Sequence, residues 1–219
     1  MLDLTFRIAG AEPAASAATP QLCFKLHIDA AEACRDWPIQ AVLLRIQVRI
    51  EPTRRSYQTT SGPGLEELFG APQRWGATMR SMLWTHANVL VPPFTGSALV
   101  DVPIECTYDF NVAATKYFAA LDDGDIPLCF LFSGTCFYQT ERGLQAAQIS
   151  WEREANFRLA VRTWQEMMAR YYPNCAWLCV HKDAFDRLHE FKTSHALPTW
   201  ELALERLLDH AAPPAAIED

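Results

Sequence analysis

MLDLTFRI (residues 1–8), QLCFKLHID (21–29) and LLRIQVRI (43–50) carry the pattern that decides the fold. Apolar residues fall on one parity: Leu2, Leu4, Phe6 and Ile8, then Leu22, Phe24, Leu26 and Ile28, then Leu44, Ile46, Val48 and Ile50. Asp3, Thr5 and Arg7, Lys25, His27 and Asp29, and Arg45, Gln47 and Arg49 occupy the other parity. Successive strand side chains point to opposite faces, so these segments read as half-buried strands. One sheet face packs a core and the other meets water or a partner.

Outward from this block, Trp84 to Val91 and Val100 to Ile104 read as strands joined by a short loop around Pro92-Pro93. Ile126 to Tyr138 is almost wholly apolar, the signature of a central strand covered on both faces, and Gln145 to Trp151 pairs beside it. Trp75, Met79, Met82 and Leu83 fit one helical stripe, and Val112 to Leu121 reads as a helix capped by Asp109 or Asn111. Val161, Trp164, Met168 and Tyr171 mark another helix, Ala176 to Val180 a short strand, and two amphipathic helices follow. Thr59 to Gly64 is the most flexible text, and Ala211 to Asp219 should fray. The reading is an α+β fold, an antiparallel β-sheet or sandwich core with a C-terminal helical layer. It forms a single domain over 1–219, with 1–151 mainly β and 157–210 mainly helical.

A chain of 219 residues, half of them apolar, can bury a substantial core without staples. Its seven scattered cysteines suit reduced thiols better than a disulfide framework. No long apolar stretch or leader-like N-terminus is present, so a soluble, cytoplasmic protein with no membrane role is expected. The net charge of −7 and the lack of a basic run argue against nucleic acid as a partner.

No reaction is legible. Cys175, Cys179 and His181 form Cys-x3-Cys-x-His without the second ligand pair a closed zinc site needs, so core packing is the expectation and no metal or cofactor is assigned. Ser133-Gly134 lies inside the apolar strand and lacks the glycine that precedes a nucleophile elbow; Gly134 suits a bulge or a close backbone approach. A thiol nucleophile at Cys136 would need a base supplied by folding, and neither glycine-rich nucleotide motif occurs. No catalytic residue is therefore named, and the chain reads as a non-enzyme. The candidate partner-binding residues are Arg7, Lys25, Arg45 and Arg49 on the polar strand faces, with Trp75 and Phe94 as exposed aromatic anchors.

LWTHANVLVPPFTGS (83–97), CTYDFNVAATKYF (106–118), LFSGTCFY (131–138) and LPTWELALERLL (197–208) resemble an uncharacterised bacterial protein family over nearly the whole chain. That family's genes lie near actinobacterial-type NiFe hydrogenase genes, and it brings no established catalytic or ligand residues. The resemblance implies an accessory role in assembly or maturation of that enzyme, with a hydrogenase subunit or maturation factor as the protein partner. Two other classes stand beside it: an export-chaperone-like protein holding clients between sheet and helices, and a cysteine-dependent enzyme using Cys136 or Cys179.

Overall fold

Two antiparallel sheets account for the alternating segments. The computed structural model describes residues 2–57 and 63–211. Most of the stretch read as flexible, 59–62, and nearly all of the fraying end, 212–219, lie outside the described residues. Strands β1 (Leu4–Pro13), β2 (Gln21–Ala30) and β5 (Ser97–Glu105) form sheet A in the order β1-β2-β5. Strands β3 (Ile39–Ile50), β4 (Met82–Val91), β6 (Asp125–Thr140), β7 (Gly143–Gln148) and β8 (Glu154–Ala160) form sheet B. Its order is β4-β3-β6, with β7 and β8 placed end to end along the far side of β6.

The alternation expected for the first fifty residues is present in the burial. Leu22, Phe24, Leu26 and Ile28 of β2 are fully buried and meet Val42, Leu44, Ile46, Val48 and Ile50 of β3 within one core. Aromatic rings tie the two inner faces: Phe6 stacks on Phe132 at 4.5 Å, and Phe24 meets Phe130 edge-on at 5.1 Å. Pairing corrects the expectation of one polar sheet face, because β1 and β2 lie in sheet A while β3 lies in sheet B. Periodicity sets which side of a strand is apolar; it does not say which sheet the strand joins. Likewise β4 and β5, read as neighbours across a loop, lie in different sheets, and Pro92-Pro93 carries the chain between them.

Strand β6 is buried on both faces from Ile126 to Phe130; Leu131 is half-buried and Ser133 exposed. Its inner face continues to Cys136, while its outer face opens at Ser133. Strand β8 had no counterpart in the periodicity. The stripe expected from Trp75 to Leu83 breaks: α1 (Pro63–Phe69) is followed by a four-residue helix α2 (Trp75–Thr78), and Met82 and Leu83 belong to β4. Helix α3 (Val112–Ala119) is capped as expected, since the Asn111 side chain accepts from the Ala114 N–H at 3.1 Å. Helix α4 (Val161–Tyr171) buries Val161, Trp164, Met167 and Met168 against this core.

The sequence reading joins residues 1–219 in one domain, whereas contacts group the chain into two compact units, Met1–Cys175 and Ala176–Asp219. In the second unit, residues 176–180 are not a strand. It contains α5 (Lys182–Ser194) and α6 (Trp200–Ala211). Ala196 takes φ 51° and Leu197 donates back to the Lys192 carbonyl at 3.0 Å, so α5 ends in a left-handed cap. The two helices then meet through Phe185 and Trp200, with ring centroids 5.4 Å apart.

Candidate functional site

The sandwich sends the sequence-derived candidates to opposite sides. Arg7 and Lys25 lie on the outer face of sheet A, and Arg45 and Arg49 on the outer face of sheet B. Lys25 sits between Glu12 and Asp101, 2.9 Å from each, and both contacts raise its pKa while Asp101 is held below the ordinary carboxylate range by the same bond. Its charge is therefore committed within the sheet. Arg49 donates through Nε to the Ser81 hydroxyl at 2.8 Å, and Ser81 donates to Glu51 at 2.6 Å. Arg45 is exposed and has no ion-pair partner among the described residues.

The aromatic candidates are not free anchors. Trp75 is half-buried, donates from Nε1 to the Gly70 carbonyl at 2.7 Å and packs edge-on against Tyr57 at 5.5 Å. Phe94 is half-buried and forms a two-way backbone bridge with Ile39, at 2.9 and 3.0 Å. Strand β4 separates them, a length of about 30 Å for its span, so they form no common patch.

Exposed apolar side chains lie elsewhere on sheet B. Leu43 is 52% exposed, and its partner across the β3–β4 ladder, Leu90, is 66% exposed. Arg45 and Asn88 face each other in the next row, and Ser133 and Thr135 of β6 continue these rows. Together they line a shallow depression of about 660 Å³ on the outer face. The sequence held a signal for this: Leu43 and Leu90 are apolar residues on the wet parity of otherwise alternating strands. Trp151, 82% exposed in the turn between β7 and β8, carries no periodic signal because it lies outside any regular element.

Gly134 makes the close approach expected of it. Its φ is +139°, and a Cβ there would stand 2.0 Å from the Leu43 carbonyl oxygen, so the floor of the depression is backbone against backbone. A second cavity of about 390 Å³ is lined by Leu2, Leu4, Cys136, Ala147 and Ile149 with the Asp3–Arg153 ion pair.

Burial disfavours the thiolate at three of the cysteines in the sheets and the loop after β5. Burial pushes Cys136 up to about 11 and Cys106 up to about 12, and Cys129 is raised by burial and then by Glu154. A thiolate nucleophile requires a shift in the other direction. Cys175 and Cys179 are exposed, and no cluster of three or more His, Cys, Asp or Glu able to hold a metal occurs among the described residues. Alkylation of the folded protein at neutral pH is expected to modify Cys175 and Cys179 first. Cys34, Cys106, Cys129 and Cys136 should react only on unfolding. Peptide mass spectrometry over a time course reads this, and fast labelling of Cys136 would contradict it.

Fold and site define an α+β protein with an antiparallel β-sandwich core and an exposed leucine pair on one outer sheet face. The chain belongs to the family of unknown function DUF6084, whose model matches residues 1–216. No curated protein matches it. Among solved structures it is similar to a late embryogenesis abundant (LEA) protein, at TM-score 0.31 and 11% identity over 73% of this chain and 71% of that one. A β-glucosidase from Kluyveromyces marxianus is similar at TM-score 0.25 and 6% identity, over 72% of this chain and 15% of the enzyme. Likenesses this low carry no functional argument. No helix among the described residues is long and apolar enough to cross a membrane.

Proposed function

We propose that this protein is a non-enzymatic accessory factor that binds a protein partner across the outer face of sheet B. The partner is a subunit or maturation factor of a NiFe hydrogenase, as the family resemblance of the sequence suggests. The observation that carries the binding reading is the paired exposure of Leu43 and Leu90 beside Arg45, whose charge is unpaired among the described residues. An exposed apolar pair beside an arginine without an ion-pair partner among the described residues is a surface that a partner can cover, and a strand face presents it rigidly. The raised thiols of Cys106, Cys129 and Cys136 weigh against the cysteine-enzyme alternative.

Purified hydrogenase subunits and maturation factors, titrated against the full chain by calorimetry, test the reading. One of them should bind, and Leu43→Glu with Leu90→Glu should weaken that complex by about 2 kcal/mol or more, roughly thirtyfold in Kd. Both positions are exposed, so the double variant should keep its melting temperature within a few degrees. Absence of binding by every hydrogenase component sinks the hydrogenase assignment. A complex indifferent to both substitutions sinks the face.

A further inference from the structure

Sheet edges present unpaired backbone groups, and most edges here are blunted. Strand β1 carries a bulge between Ile8 and Gly10 and ends in Pro13. Strand β5 carries Asp101, Pro103 and Glu105. Asn111 donates to the Leu83 and Trp84 carbonyls at 3.1 and 2.9 Å, which occupies the start of β4. Strand β8 carries Glu154 and Arg158. Strand β7, GLQAAQ, has no charge, no proline and no bulge in its pairing with β6.

The direction of its free groups follows from the ladder. Ile149 donates to the Gly134 carbonyl at 2.9 Å, so odd-numbered residues of this strand point their backbone groups at β6. The N–H and C=O groups of Leu144, Ala146 and Gln148 therefore point off the sheet. Their N–H groups have no backbone acceptor among the described residues. The Gln145 amide reaches the Leu144 carbonyl at 3.1 Å, leaving Ala146 and Gln148 open.

We infer that β7 pairs antiparallel with β7 of a second copy of this chain, making one continuous sheet across a two-fold axis at Ala147. In that register Ala146 faces Gln148 of the second copy. Each copy then offers two N–H and two C=O groups, enough for four main-chain hydrogen bonds. The flanks select the same register. Arg142 and Glu152 lie in the turns that flank β7, and this register carries Arg142 toward Glu152 of the second copy, twice by symmetry; both side chains are exposed and without ion-pair partners among the described residues. Gly143, which has no side chain, comes opposite the exposed Trp151, so the ring has room to lie across the junction. On a chain of net charge −7, this edge is neutral at its centre and self-complementary at both ends. That complementarity favours a second copy over an unrelated extended peptide, and the pairing leaves Leu43 and Leu90 on the outer face.

Sedimentation velocity on the full chain, without any partner, tests this independently of hydrogenase binding. The wild type should sediment as a species of twice 24.7 kDa. Ala146→Pro should be monomeric; it removes an N–H that the monomer does not use, so the fold is retained. Arg142→Glu and Glu152→Arg should each raise the dimer Kd about tenfold, and the double charge swap should restore it. Both sites are exposed, so these variants keep the experiment decisive should the proline variant misfold. Hydrogen exchange adds a second readout: the Ala146 and Gln148 amides should exchange slowly in the wild type and fast in monomeric variants. A wild type that stays monomeric at every concentration, a dimer unaffected by Ala146→Pro, or a charge swap that fails to rescue overturns the proposal.

Discussion

Gly134→Ala is expected to lose about 4 kcal/mol or more of folding stability and to leave little native protein at 37 °C. The added methyl would lie 2.0 Å from the Leu43 carbonyl oxygen and 3.3 Å from the Leu44 Cα, with φ held at +139°. Both neighbours are backbone of β3, a central strand laddered to β4 on one side and β6 on the other, so neither can retreat without breaking a ladder. Gly143→Ala is the control: its φ is +94° but nothing lies within 4 Å of the new Cβ, so backbone strain alone applies, about 1 kcal/mol. Urea unfolding followed by tryptophan fluorescence separates the two, and equal losses would show that the close approach of β6 to β3 is wrong.

Phe24→Ala should cost about 3–5 kcal/mol, the range for deleting a fully buried ring whose neighbours cannot collapse onto the gap. Phe24 is 0% exposed and touches sheet B in three directions, toward Phe130 at 5.1 Å, Phe157 at 5.9 Å and Trp84 at 6.1 Å. Those rings come from β6, β8 and β4, so the substitution loosens the contact between sheets more than any one strand. The urea midpoint should fall with the slope unchanged, and Trp84 emission should shift in the native state. A loss below about 1.5 kcal/mol would mean that the sheets meet elsewhere.

How far the sequence can be read differs between strand and site. The parity of residues 2–50 names the buried residues of β1, β2 and β3 correctly, because alternation is a local consequence of the pleat. Val161 to Tyr171 and the cap at Asn111 were legible for the same reason, as their hydrogen bonds lie within a few residues. Strand β8 was not: its central partner in the ladder, Leu128, lies far back in the chain opposite Phe157, and Trp151 stands in the turn before it. Leu43 and Leu90 were visible as breaks in parity, yet only pairing sets them side by side.

The candidate cations show the same division. Arg7, Lys25, Arg45 and Arg49 were assigned the wet face correctly as individual side chains, but grouping them assumed that consecutive strands are neighbours. The sequence by itself determined which residues of β1, β2 and β3 face the core, the helices that begin at Val112 and Val161, and the α+β class, all set by periods of two and 3.6 residues. The tertiary structure alone decided the sheet each strand joins, the separation of the two arginine-bearing faces, and the open edge of β7. Those depend on long-range ladders whose register is chosen by how the apolar faces pack, which no local window contains.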